Sequence, residues 1–141
     1  MSLILKIKRL GDTKIPTYHY EGDAGLDLYS AQEVTVLPGK KVGVKTGVAL
    51  AIPEGYVGLI WDKSGISMKH GLKTLGGVVD SGYRGEIIVG MVNLSEEAYT
   101  FAQGDKVAQM IIQRKESVSI EEVLELDDTH RGEKGFGSSG K

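Results

Sequence analysis

Apolar and polar positions alternate with a period of two along most of the chain. Leu3, Leu5 and Ile7 are interleaved with Ile4, Lys6 and Lys8, and similar runs recur at 33–37, 41–52, 56–61, 86–94, 98–102, 106–113 and 118–126. Side chains along a strand point to opposite faces in turn, so each run predicts a strand with one face toward a core. Clusters of Gly, Asp, Ser and Pro separate the runs at the short intervals of sandwiches and barrels, and the chain is expected to be all-β. Only 64–70 reads as helical, with Ser64 placed to cap a short helix and Gly71 to end it. The last fifteen positions, 127–141, carry four Gly, two Ser and the single aromatic Phe136, a composition expected to be mobile. The division expected is thus a β domain over 1–126 and a C-terminal arm over 127–141.

Composition narrows the classes. Of 141 residues 20 are Gly, roughly twice the usual share, without a Gly-X-Y period and with only 3 Pro, which excludes collagen-like and low-complexity chains. The absence of Cys leaves no disulfide framework, thiol nucleophile or thiolate metal site, and suits a reducing compartment. A formal net charge of -2 gives no general grip on nucleic acid. The apolar runs are far shorter than the ~20 residues of a membrane helix, so a non-secreted protein without membrane partners is expected, cytoplasmic or, from a non-bacterial source, of the nucleus or the interior of a virus's host cell.

Five stretches carry candidate chemistry, each beside a plainer reading. AGLDLYS (24–30) sets Asp27 opposite Leu26 and Leu28 on a strand, where solvent would ordinarily receive it. In WDKSGIS (61–67), Lys63, Ser64 and the Gly65 amide could receive a phosphate, or Ser64 could simply cap the helix. GGVVDSGYRGE (76–86) reads as a hairpin whose tip is either a turn or a rigid mount for Asp80 as a base, with Tyr83 beside it and Arg84 open to charge pairing. Gln109 interrupts the apolar run of GDKVAQMIIQ (104–113), as a backbone-satisfied buried amide would. The tail offers Arg131 as a bidentate cation, Phe136 as a stacking face, and glycine amides with Ser138 and Ser139 as anion donors. His19, His70 and His130 share no metal-binding or triad spacing and read as surface residues.

In this order the five stretches resemble the five motifs of the trimeric deoxyuridine triphosphate nucleotidohydrolases, the dUTPases. The resemblance runs from residue 24 to residue 140. It implies a jelly-roll-like β-barrel with one short helix, a homotrimer whose three active sites draw motifs from different subunits, and a flexible arm that closes over the site. The implied reaction converts dUTP and water to dUMP and pyrophosphate, which limits uracil in DNA and supplies dUMP for dTMP synthesis. By matching positions, Asp80 would deprotonate the attacking water and Tyr83 would exclude a ribose 2′-hydroxyl. The backbone of Gly77, Val78 and Val79 would read uracil. Lys63, Ser64, Gly65 and Gln109 would hold phosphates, Mg2+ would bridge the phosphates and meet Asp27 through water, and Arg131, Phe136, Gly137, Ser138 and Ser139 would cover the bound nucleotide.

Three positions depart from the family pattern: Lys63 stands where Arg is commoner, Lys134 where Gly is usual, and Gly82 where an acidic residue is frequent. Lysine keeps the charge but lacks the planar fork of arginine. A related class, the dCTP deaminases, needs a catalytic Glu at the position that here corresponds to Gly90. A non-enzymatic jelly-roll module would have no use for Asp80, Tyr83, Arg131 and Phe136 together.

Overall fold

A computed structural model describes residues 2–140. Ten strands and one helix follow in the order β1 (Lys6–Arg9), β2 (Leu26–Tyr29), β3 (Val34–Val36), β4 (Lys41–Ala51), β5 (Tyr56–Trp61), α1 (Ser64–His70), β6 (Leu72–Leu75), β7 (Val78–Val79), β8 (Glu86–Asn93), β9 (Tyr99–Phe101) and β10 (Lys106–Arg114). The strands pair antiparallel into two four-stranded sheets, β1-β4-β8-β6 and β2-β10-β5-β7, and the small pair β3-β9. The all-β expectation holds. The ladders among the described residues form open sheets rather than a closed barrel. No helix of the described residues is long and apolar enough to cross a membrane.

The core lies between the two large sheets. Val44, Val89 and Met91 come from one, Leu28, Ile60 and Met110 from the other, and Phe101 and Val36 from the small pair. Strand β8 shows the alternation directly: Ile87, Val89, Met91 and Asn93 are buried while Ile88 between them is exposed. The one polar member of that row is fully satisfied. Asn93 donates from Nδ2 to the carbonyls of Val36 (2.9 Å) and Glu97 (2.7 Å), and its Oδ1 accepts from the backbone and hydroxyl of Ser95. Strand β4 breaks the alternation at Gly47 (φ 70°), where its register with β8 shifts and Thr46 through Leu50 are all buried. The Thr46 hydroxyl donates to Ile87 O at 2.6 Å and the Gly47 N–H to Glu86 Oε2 at 2.9 Å, so the bulge leaves no polar group idle.

Two expectations fail here. The alternating run at 118–126 forms no strand: it is exposed throughout, with Ile120 and Leu124 almost wholly so, because nothing in the single chain lies alongside it. The stretch 76–86 is not a simple hairpin. Strands β6 and β8 do pair, Leu75 opposite Gly90, but their connection leaves that sheet and places β7 against β5 in the other.

Candidate active site

The crossing between sheets depends on Gly77. Its φ of 113° suits glycine alone, and a Cβ there would lie 2.8 Å from the Ile60 carbonyl. Ile60 N–H donates to Gly77 O at 2.8 Å, and Val78 and Val79 then pair with Leu59 and Gly58. Because β7 is the edge of its sheet, the backbone groups on its outer side have no ladder partner. A turn follows, in which Tyr83 N–H donates to Asp80 O at 3.1 Å. Arg84, expected to be open to charge pairing, instead braces this turn by donating to the carbonyls of Ser81 (2.7 Å) and Tyr83 (3.1 Å). Tyr83 OH donates to Glu86 O at 2.9 Å, and its ring lies against Gly85 so closely that a Cβ there would be 2.6 Å from Cζ. Gly77, Val78, Val79, Asp80, Tyr83 and Glu86, with Ile60, Ile87 and Ile88, line a cleft of about 230 Å³. Asp80 stands exposed at its rim, so its carboxylate is open to solvent.

A second cluster sits further along the same sheet. Asp27, expected to face solvent, is 1% exposed. The outer edge of β2 is covered by the segment around Thr17, whose carbonyl accepts from Asp27 N–H at 2.7 Å. Two cations meet the buried carboxylate: Lys63 Nζ donates to Oδ1 at 2.7 Å, and Lys106 Nζ lies 3.2 Å from Oδ2. Oδ2 nevertheless receives no well-directed hydrogen bond. Burial pushes the Asp27 carboxyl up, but the two lysines outweigh it and hold it below the usual aspartate value. Opposite Asp27 on β10 is Gln109, whose Nε2 donates to the Asp62 carbonyl at 2.8 Å, the backbone-satisfied amide that the sequence suggested.

Lys63, rather than Ser64, occupies the cap position of α1, and no side chain caps the helix. Ser64 is the first helical residue, and it and Gly65 are both exposed. Just before them Asp62 anchors the loop to β6, accepting from Thr74 N–H (2.8 Å) and Lys73 Nζ (2.6 Å). Burial raises its pKa, and the hydrogen bonds from Lys73 and Thr74 more than reverse this, so the net shift is downward.

The third group is the tail. Among the described residues, those beyond Ser117 hydrogen-bond only with one another. Arg131 Nε donates to Lys134 O at 2.8 Å, Phe136 has φ 50° with its ring fully exposed, and Ser138 N–H closes a turn on Gly135 O. Arg131, Phe136, Gly137, Ser138 and Ser139 surround one hollow of the arm's own. Lys141, the last position of the expected arm, lies outside the described residues, as does Met1.

The structure therefore gathers the sequence candidates into three groups rather than one. Along β5, Gln109 pairs with Trp61 while Val79 pairs with Gly58, so Asp80 and the Asp27–Lys63–Gln109 cluster are about four residues, or ~13 Å, apart along the strand. Among the described residues no group of three or more His, Asp or Glu side chains could cage a metal ion. The donor set does fit magnesium held mainly by substrate phosphates and water, since magnesium uses one or two carboxylates and keeps several waters, and Asp27 Oδ2 is a buried oxygen with spare accepting capacity.

An antiparallel β domain with an edge-strand cleft, a buried carboxylate flanked by lysines and a Gly/Ser-rich arm bearing Arg131 and Lys134 offers donors and cations suited to a phosphorylated ligand. The model of the dUTPase family matches residues 12–140, and the chain belongs to that family. A deoxyuridine 5'-triphosphate nucleotidohydrolase of Clostridium kluyveri is 45% identical over 139 residues, covering 96% of this chain and 97% of the relative. Among solved structures, a variant of the Staphylococcus bacteriophage 80alpha dUTPase bound to dUpNHpp superposes with a TM-score of 0.93 at 32% identity, covering 98% of this chain and 99% of that one. A dUTPase variant from phage phi11 of S. aureus, which coordinates a structural Mg(II) ion, superposes with a TM-score of 0.81 at 30% identity, covering 86% and 97%.

Proposed function

We propose that this chain hydrolyses dUTP to dUMP and pyrophosphate, with Asp80 as the base. The observation that carries the reading is the cleft in which the free edge of β7, the ring of Tyr83 and the exposed carboxylate of Asp80 converge. Uracil offers one N–H donor between two carbonyl acceptors, and the backbone of Gly77, Val78 and Val79 provides fixed partners for such an edge, with the Val78 groups outermost because Gly77 O already accepts from Ile60 N–H. A base with another pattern would leave buried groups unpaired and be rejected strongly. The Tyr83 ring, held by its bond to Glu86 O, fills the space a 2′-hydroxyl would need. Asp80 takes a proton from water as its oxygen attacks the α-phosphorus. The bond to the bridging oxygen breaks, and pyrophosphate leaves with that electron pair. A positioned base of this kind contributes about 10² to 10⁴ in rate.

Lys63, Ser64, Gly65 and Gln109 receive the phosphate chain in this reading. Magnesium, when bound, would neutralise phosphate charge, and Asp27 would be the residue that holds it, through water. Arg131 and Phe136, with Gly137, Ser138 and Ser139, close over the nucleotide and exclude solvent. We further propose a homotrimer whose sites are shared. Three observations support it: the separation of Asp80 from the lysine cluster along β5, the lack of hydrogen bonds between the arm and its own domain among the described residues, and the exposed alternating residues of 118–126, which need a strand or groove on another copy. A cysteine-free chain is compatible with the reducing cytoplasm as its place of work.

Deamination of dCTP has no support. Its catalytic carboxylate would stand at Gly90, where a Cβ would lie 2.9 Å from the carbonyl of the paired Leu75. The decisive experiment is a pyrophosphate-release assay with dUTP, UTP, dCTP and dTTP in parallel, with and without magnesium. Release from dUTP alone is expected, and comparable release from UTP or dCTP would refute the assigned specificity.

A further inference from the structure

The Asp27 carboxylate has two cations where charge balance needs one, and the second arrives by an irregularity of the fold. In the ladder between β10 and β2, Ala108 is opposite Leu28 and Gln109 opposite Asp27, yet Lys106 rather than Val107 is opposite Tyr29. The extra residue is a bulge, and without it Lys106 would project from the other face of the sheet. The bulge turns it onto the face of Asp27, 3.2 Å from Oδ2. The cluster is left with one net positive charge beside a buried carboxylate.

We propose that Lys106 is a positioning residue: it keeps Asp27 compensated so that Lys63 can leave the carboxylate for the substrate's phosphates. The inference rests on the phosphate-binding role given to Lys63 above. A carboxylate buried to this degree is strongly disfavoured without a partner, so with Lys63 as its sole cation the exchange would be resisted. With Lys106 in place, Oδ2 can take a better-directed bond as Oδ1 is vacated. The two lysines are not equivalent. Lys106 is also tied to His19, whose Nδ1 lies 3.3 Å from Nζ and must accept, because an ammonium only donates. The Lys63 ammonium has Asp27 as its one hydrogen-bond partner among the described residues, and Lys63 directly precedes Ser64 and Gly65.

The test is a double-mutant cycle on binding, read by calorimetry in magnesium-free buffer with dUpNHpp and with deoxyuridine. Lys106→Met is expected to weaken dUpNHpp binding about tenfold, the loss of one charge-assisted contact. In the Lys63→Met background the same change should alter binding by less than about twofold, because Lys106 acts through Lys63. Lys106→Arg should restore wild-type binding, and deoxyuridine, lacking phosphates, should bind all variants alike. An equal loss in both backgrounds would mean that Lys106 touches phosphate itself and would overturn the inference, as would no loss from Lys106→Met in the otherwise wild-type protein. Should Lys106→Met not fold, the ammonium resonances of the wild type decide: dUpNHpp should shift that of Lys63 and leave Lys106 little changed, and the reverse would overturn the exchange. A wild type unable to bind dUpNHpp would overturn the site reading together with this inference, whereas the cycle fails alone.

Discussion

Two glycines flank Tyr83, and they allow its role to be tested without touching the ring. At Gly85 an added Cβ would lie 2.6 Å from Tyr83 Cζ, with the hydroxyl closer still, whereas at Gly82 it would meet nothing within 4 Å. Neither glycine has a left-handed φ, so the backbone accepts alanine at both positions. Ordinary carbon contacts are ~3.5–4.0 Å, so Gly85→Ala must push the end of the ring outward by about 1 Å and break the 2.9 Å bond from its hydroxyl to Glu86 O. Tyr83 is half-exposed, so little core packing is lost and the fold should survive. The consequence should fall on sugar recognition. Space for one small group in a binding pocket is worth ~1–3 kcal/mol, and the ratio of kcat/KM for dUTP over UTP should fall by about tenfold or more. Gly82→Ala should leave that ratio unchanged. The measurement is steady-state pyrophosphate release with each nucleotide for the two variants and the wild type. A wild-type ratio in Gly85→Ala would refute the reasoning that this ring guards the sugar.

Other expectations follow from the same geometry. Asp80→Asn should lower kcat by at least about 10² while dUpNHpp still binds, and near-normal turnover would dismiss Asp80 as the base. Truncation before Arg131 should leave circular dichroism and thermal melting close to those of the full chain, since among the described residues the arm makes no hydrogen bond to the domain, but should remove most activity; full activity would refute a covering role. Asp62→Asn should lower stability by about 1–2 kcal/mol near neutral pH, through its hydrogen bonds to Thr74 N–H and Lys73. Because the folded pKa of Asp62 is depressed below 3.8, that contribution is complete above the unfolded value and lost as pH falls through the folded one. Denaturant titrations of the two proteins should therefore converge in strong acid, and a constant difference down to low pH would show that charge is not the cause.

The parts of the fold that could be read from the chain are those where one face meets the core and the other meets water. Strand β8 is an example: its alternation places Ile87, Val89 and Met91 inward as a period of two requires. The short strands β6 and β7 escaped because four and two residues carry too little periodicity, and β7 is defined by the crossing at Gly77 rather than by its own pattern. The run at 118–126 failed for the opposite reason. Its alternation is clear, but a pattern names the face that needs covering and not the chain that covers it. The five motifs named the candidate groups, yet not their separation along β5, which is a property of register.

Asp27 marks the deepest of these limits. Alternation with Leu26 and Leu28 assigns its side chain the face opposite theirs, and that is where it lies, but the face is not open to water. The Thr17 segment closes the edge of β2, the bulge at Val107 turns Lys106 inward, and Lys63 arrives from the start of α1. Each contribution comes from a different part of the chain, and none leaves a local signal beyond a lysine beside small residues. A carboxylate is nonetheless tolerable at that depth only with a cation beside it, and Lys63 and Lys106 both serve. On the phosphate-binding role proposed for Lys63, the residues that would serve the substrate are the same ones that make Asp27 foldable there, so replacing Lys63 or Lys106 tests stability and phosphate binding at once and only their combination separates the two.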